Sequence, residues 1–333
     1  MNLATLPSST RPWEDTQRSP ARAAAAHSIG IVPRLALVLV FLAAAAATAE
    51  AAPTRDGRPP VAKTQGTGLA FEIVSDAAML VQCLVGPELQ VRNATLSAAD
   101  SAAGKFTGGV DIIGFGGGIV LSTGTITGAL GPNSEFGSEG KDHARAGDAD
   151  LDQFVDPEDT FDACGLTFEF FTDQPRTITF DYVFASEEYS EFVGAGFDDV
   201  LAFFLNGNGA AQNIARVTAP CATVTGVPTS VDNVNCGNQF EPTVPAVNCN
   251  CYRDNEWNFA AFPSTPPTLD SEMDGFTKVF TASGTSVAGW NTLKIAIADA
   301  GDGILDSNVY IRCQSFTVPA APASWGRVKA GYR

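Results

Sequence analysis

Strand-period alternation is the feature that most limits what this chain can become. In residues 176–185 (RTITFDYVFA), Ile178, Phe180, Tyr182 and Phe184 fall on one side, with Thr177, Thr179 and Asp181 on the other. Leu293, Ile295 and Ile297 alternate with Lys294 and Ala296, and Val309, Ile311 and Cys313 with Tyr310 and Arg312. Successive side chains on a strand point to opposite faces, so a period of two with one apolar side specifies a sheet buried on that face. Val200–Leu205 is apolar throughout and reads as a further strand. The chain holds 32 glycines and 20 prolines, and only 17% of its residues are charged, which favours many short strands joined by turns over exposed helices. The expected fold class is all-β: one antiparallel β-sandwich, jelly-roll-like, over residues 66–318. A short N-terminal helix over 76–85, capped by Ser75, should precede a strand over 89–96. The glycine-rich segment 108–128 reads as short strands with tight turns. Its Gly114-x-Gly116 lacks a third glycine and a following helix, so no dinucleotide fingerprint is present.

The first 49 residues describe a secretory signal peptide. Arg11, Arg18, Arg22 and Arg34 precede 13 apolar residues (35–47), and Ala47-Thr48-Ala49 supplies a small-residue cleavage site. A bilayer-spanning helix needs roughly 20 apolar residues, so no membrane span is expected in the mature chain. Residues 50–65 form a polar, Pro-rich linker and 319–333 a short tail. From residue 50 onward the formal charge is −19, with 35 acids and 16 bases. Nucleic-acid binding is excluded, because phosphate backbones demand clustered Lys and Arg.

All seven cysteines fall after the leader: Cys83, Cys164, Cys221, Cys236, Cys249, Cys251 and Cys313. Four crowd into an irregular 219–268 insertion, expected to be a disulfide-stapled loop in an oxidising compartment. An odd count leaves one thiol free or joins two chains as a disulfide-linked dimer. Zinc is disfavoured, since there is no CxxC pair and His143 is the only histidine after the leader.

Two acidic constellations could carry chemistry. Asp148, Asp150 and Asp152 stand at alternate positions, with Asp156, Glu158 and Asp159 close behind, like the start of a calcium loop, although Gln153 replaces the glycine of an EF-hand. The second set is Glu187, Glu188, Asp198 and Asp199 together with Asp299, Asp302 and Asp306. In a sandwich these loops can gather at one end, where like charges repel unless a cation joins them. Calcium is therefore the expected cofactor, with Asp148, Asp150, Asp152 and the seven residues of the second set as candidate ligands. The competing explanation is that Asp302 and Asp306 are turn formers and Asp198 a loop cap. No catalytic residue is expected. A Ser/His/Asp triad would have to use His143, and no G-x-S-x-G elbow exists. Trp257, Trp290 and Trp325 could stack on sugars, but Trp290 heads an alternating strand and is expected in the core.

Several stretches resemble the bacterial choice-of-anchor L domain of exported surface proteins. They are GGIVLSTGTITGALGPN (117–133), Gly147-Asp148-Ala149-Asp150-Leu151, FDYVFASEEYSEFVGAGFDDVLAFFLNG (180–207) and KIAIADAGDGILDSNVYI (294–311). The resemblance covers most of 76–318 and implies secreted or surface placement, with no settled biochemical activity. Family members carry the domain ahead of varied C-terminal sorting signals, whereas residues 319–333 hold no LPxTG-like motif. The combined expectation is a secreted or cell-surface, non-catalytic β-sandwich, calcium-stabilised, acting in adhesion to an extracellular glycan, matrix or surface protein. The alternative is a carbohydrate-active hydrolase using a carboxylate pair.

Overall fold

Residue by residue, Thr160–Thr172 alternates buried and half-buried side chains along its whole length, and it forms the spine of one of two sheets. The computed structural model describes residues 68–87, 89–133, 140–155, 157–257 and 267–318. The leader, the linker and the C-terminal tail lie outside them, as does Asp156.

The strands in chain order are β1 (Ala70–Ile73), β2 (Val91–Ser97), β3 (Ala103–Thr107), β4 (Gly117–Ser122), β5 (Thr160–Thr172), β6 (Thr177–Ser186) and β7 (Val200–Leu205). They continue with β8 (Thr229–Ser230), β9 (Tyr252–Asp254), β10 (Gly275–Thr277), β11 (Phe280–Thr285), β12 (Gly289–Ala300) and β13 (Ser307–Arg312). The larger sheet runs β1-β3-β4-β13-β6-β10-β9, with β11 also paired to β6, and the smaller runs β2-β5-β12-β7-β8. Every strand pairing is antiparallel. The expected all-β sandwich is what forms.

Its seam is built from the alternating positions. Ile178, Phe180, Tyr182 and Phe184 of β6, with Val309 and Ile311 of β13, face Leu166, Phe168 and Phe170 of β5 and Leu293, Ile295 and Ile297 of β12. Tyr182 meets Phe203 of β7 edge-on at 4.9 Å between ring centroids. Each such side chain removed from water contributes about 1.5–3 kcal/mol, so the seam dominates stability. Two further clusters cover outer faces. Val183, Ala185 and Tyr310 pack under Ile112, Ile113 and Phe115. Val200, Ala202 and Phe204 pack under Leu151 and Val155. This double coverage explains why β6 becomes continuously apolar at its end and why β7 is apolar throughout.

Three expectations are corrected. Asp76, and not Ser75, caps helix α1 (Ala77–Leu84): its carboxylate accepts from the Ala78 and Met79 amides. Trp290 is not core. It shares the outward parity of Thr292 and Lys294, is exposed, and lies under the Arg92 guanidinium at 3.8 Å. The 219–268 insertion is more than a loop, because β8 extends the edge of the smaller sheet and β9 that of the larger.

Cysteine pairing follows the fold. Cys83–Cys313 ties α1 to the end of β13, while Cys221–Cys251 and Cys236–Cys249 staple the insertion. Cys164 is free and fully buried in the seam. An interchain bridge through the odd cysteine is therefore sterically closed. Burial also pushes this thiol up to about 12, which removes the reactive thiolate. We expect an aromatic-disulfide thiol reagent to titrate no thiol in the native protein and one after non-reducing denaturation. A reactive thiol before unfolding would contradict this packing.

Candidate metal centre

The second acidic set converges because the strand ends that carry it are neighbours in the sheets. Glu187 and Glu188 leave the end of β6, whose Ser186 pairs with Ser307 at the start of β13 and Gly275 at the start of β10. Asp198 and Asp199 enter β7, whose Val200 pairs with Ala298 beside Asp299 on β12. A register shift between β12 and β5 lies between Ile297 and Asp299, so the sheet is irregular at the acidic end. Close approach is enforced by Gly124, where a Cβ would stand 1.7 Å from an Asp306 carboxylate oxygen.

The candidate ligands divide into groups. Glu187, Glu188, Asp199, Asp299 and Asp306 are all buried. Asp199 accepts from the Ala300 amide at 2.9 Å and the Ser307 hydroxyl at 2.7 Å. Glu188 Oε2 and Asp299 Oδ1 are buried without a hydrogen-bond donor. Burial, then the charges of Asp199, Asp302, Glu191 and Glu187, holds the Glu188 carboxyl well above the carboxylate range. Asp299 is raised by burial, then by Asp199, with Asp306 and Glu188 adding further. The strongest charged neighbours of both are thus other carboxylates, and ionising them together requires a cation among them.

Asp302 keeps its turn-forming role, accepting from the Ile304 amide at 3.0 Å, whereas Asp306 ties distant segments, accepting from the Lys141 amide at 2.8 Å and the Thr125 amide at 3.3 Å. Asp198 anchors the insertion through the Asp232 amide at 2.7 Å, and burial followed by the Asp232 charge raises it to about 7.

The first acidic set stands elsewhere. Helix α2 (Ala149–Asp152) begins there, capped by Asp148. Lys294 on β12 places its Nζ 2.7 Å from Asp148 and 2.6 Å from Asp150. Asp152 accepts from the Thr160 amide at 3.2 Å and from the Thr160 hydroxyl at 2.5 Å. A single lysine ammonium thus bridges two of the three aspartates whose spacing resembles a calcium loop and offsets one of their two charges. The pairing was invisible in sequence, since Lys294 lies over a hundred residues away.

Among the described residues, the tightest acidic group is one that spacing does not reveal. Single carboxylate oxygens of Glu191, Glu256 and Asp274 lie within 4.8 Å of one another. Burial raises Glu256 to about 7 and holds Glu191 and Asp274 well above the ordinary range, with neighbouring carboxylates adding to both of the latter. Their sequence signals were individually weak: Glu191 follows the Glu187-Glu188 pair, and Asp274 precedes a strand-initiating glycine.

A sign follows for pH. An acid whose folded pKa exceeds its unfolded value keeps its proton in the folded chain where the unfolded chain has lost it, so stability falls as pH rises through that window. Asp198 and Glu256, at about 7 against 3.8 and 4.5, set the window between about 4 and about 7. In EDTA, the melting temperature should rise on acidification from pH 8 to pH 5, read by circular dichroism. A fall over that range would contradict the buried-acid assignment.

Among the described residues, no helix is long and apolar enough to cross a membrane. Comparison with curated proteins and with solved structures gives no match. The family model described as the choice-of-anchor L domain matches residues 70–317, from the first strand to just beyond the last, and the chain belongs to that family.

Proposed function

We propose that this surface-associated β-sandwich is a non-catalytic adhesion module whose acidic end is organised by calcium. The carrying observation is the burial of Glu188, Asp199 and Asp299 at one sandwich end, where the strongest charges acting on Glu188 and Asp299 are carboxylates. Calcium takes about six to eight oxygen ligands from carboxylates and carbonyls in flexible geometry, which suits an all-oxygen site drawn from several loops. Magnesium, with its strict octahedron and reluctance to shed water, suits a dry multi-loop site less well. Glu187 adjoins this group, because its charge acts on Glu188, and it acts on Asp274 as well. In this reading the ion holds the β6–β7, β12–β13 and insertion loops in one arrangement, and the rim they form meets an extracellular glycan, matrix component or surface protein.

Membership of the family supports the surface-associated, non-catalytic part of this reading. The carbohydrate-hydrolase alternative is weakened by burial. A glycosidase sets two carboxyls on either side of a substrate-accessible bond, whereas Glu187, Glu188 and Asp199 lie within the protein.

A ligand bound only by the folded state stabilises by RT ln(1 + [L]/Kd), roughly 2.7 kcal/mol at a hundred times Kd. Thermal unfolding should show a clearly higher midpoint in millimolar calcium than in excess EDTA, restored when calcium is returned. Glu188→Gln and Asp299→Asn together should shrink the calcium-dependent difference while raising the midpoint in EDTA. Superimposable curves with and without calcium would overturn the reading.

A further inference from the structure

The Glu191, Glu256 and Asp274 group differs from the Glu188–Asp199–Asp299 basin in what it joins. Glu191 lies on the β6–β7 loop. Glu256 follows β9 within the Cys-rich insertion, and Asp274 immediately precedes β10. A fourth segment enters through Asn133, in the connection after β4. Asn133 is 2% exposed, and its Nδ2 donates to Asp274 Oδ1 at 2.5 Å and to the Asn255 carbonyl at 3.0 Å. Those two bonds fix the carboxamide, and its Oδ1 is buried without a donor. The side chain that bonds Asp274 therefore also carries a neutral, buried acceptor without a partner. Asp274, at 0% exposure, likewise has a buried Oδ2 without a donor, and the Glu256 carboxyl comes within hydrogen-bonding reach of those of Glu191 and Asp274.

Hydrogen bonds to backbone carbonyls hold these segments in place before any ligand is considered. The Asn255 amide donates to the Asp274 carbonyl at 2.8 Å, and Asn255 Nδ2 donates to the Ser271 and Met273 carbonyls at 3.0 Å each. Asn238 of the insertion donates to the Glu191 and Val193 carbonyls, the latter at 3.1 Å. The segments are thus held in place, with one carboxylate oxygen each of Glu191, Glu256 and Asp274 within 4.8 Å of the others. Three carboxylates and an amide oxygen form a hard, oxygen-only donor set without thiolate or imidazole, which selects calcium over zinc or copper.

We propose that Glu191, Glu256, Asp274 and Asn133 form a second calcium site, separate from the Glu188–Asp199–Asp299 basin, that clamps the Cys-rich insertion to the end of the larger sheet. Two disulfides close the insertion upon itself, at Cys221–Cys251 and Cys236–Cys249, but neither bonds it to the sheets. The β9–β10 pairing makes that link at Tyr252–Asp254, and the ion extends it to the segment beyond, where Glu256 meets Asp274.

Equilibrium dialysis of the protein against radioactive calcium, near neutral pH, tests this directly. Wild type should bind two ions per chain. Glu256→Gln with Asp274→Asn should bind one fewer, while Glu188→Gln with Asp299→Asn should also bind one fewer but retain the clamp ion. An unchanged count in the Glu256/Asp274 variant overturns the clamp and leaves the basin standing, and an unchanged count in the Glu188/Asp299 variant does the reverse. A second measurement avoids disturbing any ligand. The Trp257 amide donates to Glu256 Oε1 at 2.9 Å, so the indole is sequence-adjacent to the site. Terbium added to wild type should give tryptophan-sensitised emission that calcium displaces and that Trp257→Phe abolishes. Absence of sensitised emission from wild type, or its survival in Trp257→Phe, would overturn the proposal.

Discussion

Carboxylates crowded into the dry end of a β-sandwich are the constraint around which this molecule is arranged. An isolated ionised carboxyl buried in protein costs several kcal/mol even after relaxation, and a second one nearby adds repulsion. Glu188, Asp199, Asp299 and Asp274 all meet that condition. Such a group persists in one of two states, holding protons or holding a cation. The directions of the pKa shifts describe the first, and the oxygen-only chemistry describes the second. The remainder of the domain supplies the rigidity that keeps these acids together in either state.

That rigidity comes from the apolar seam. Phe168, Phe170, Phe180 and Phe203 lock the two sheets face to face, and the antiparallel registers then fix which strand ends are adjacent. Because β6, β10 and β13 meet at Ser186, and β7 meets β12 at Ala298, loops distant in sequence are forced into one volume. The lysine pair at Asp148 and Asp150 shows the contrasting solution on the flank of the smaller sheet. There an ammonium from β12 bridges two of the acids and offsets one of their charges.

The seam was legible in the sequence because its information is local: Ile178 to Phe184 and Leu293 to Ile297 carry their facing in a period of two. Convergence of the 187–199 and 299–306 loops was legible too, since a sandwich brings strand ends together. What sequence could not convey was pairing over distance. Lys294 reaches Asp148 and Asp150 only through the β5–β12 register and the placement of α2. Trp290 suits the core as the head of an alternating strand, but its parity with Lys294 points it outward. The Glu191–Glu256–Asp274 group was missed because its members sit on three segments, one inside an irregular insertion without periodicity.

The most direct test of the central claim is the proton balance of calcium binding. Buried acids that hold protons without metal must release them when calcium binds, because the ligand is the carboxylate. Titration calorimetry in two buffers of differing ionisation enthalpy, at pH 7, measures that release. The account predicts saturable calcium binding with a buffer-dependent heat corresponding to net proton release, diminished in Glu188→Gln with Asp299→Asn. Absence of binding, or binding with equal heats in both buffers, would contradict it.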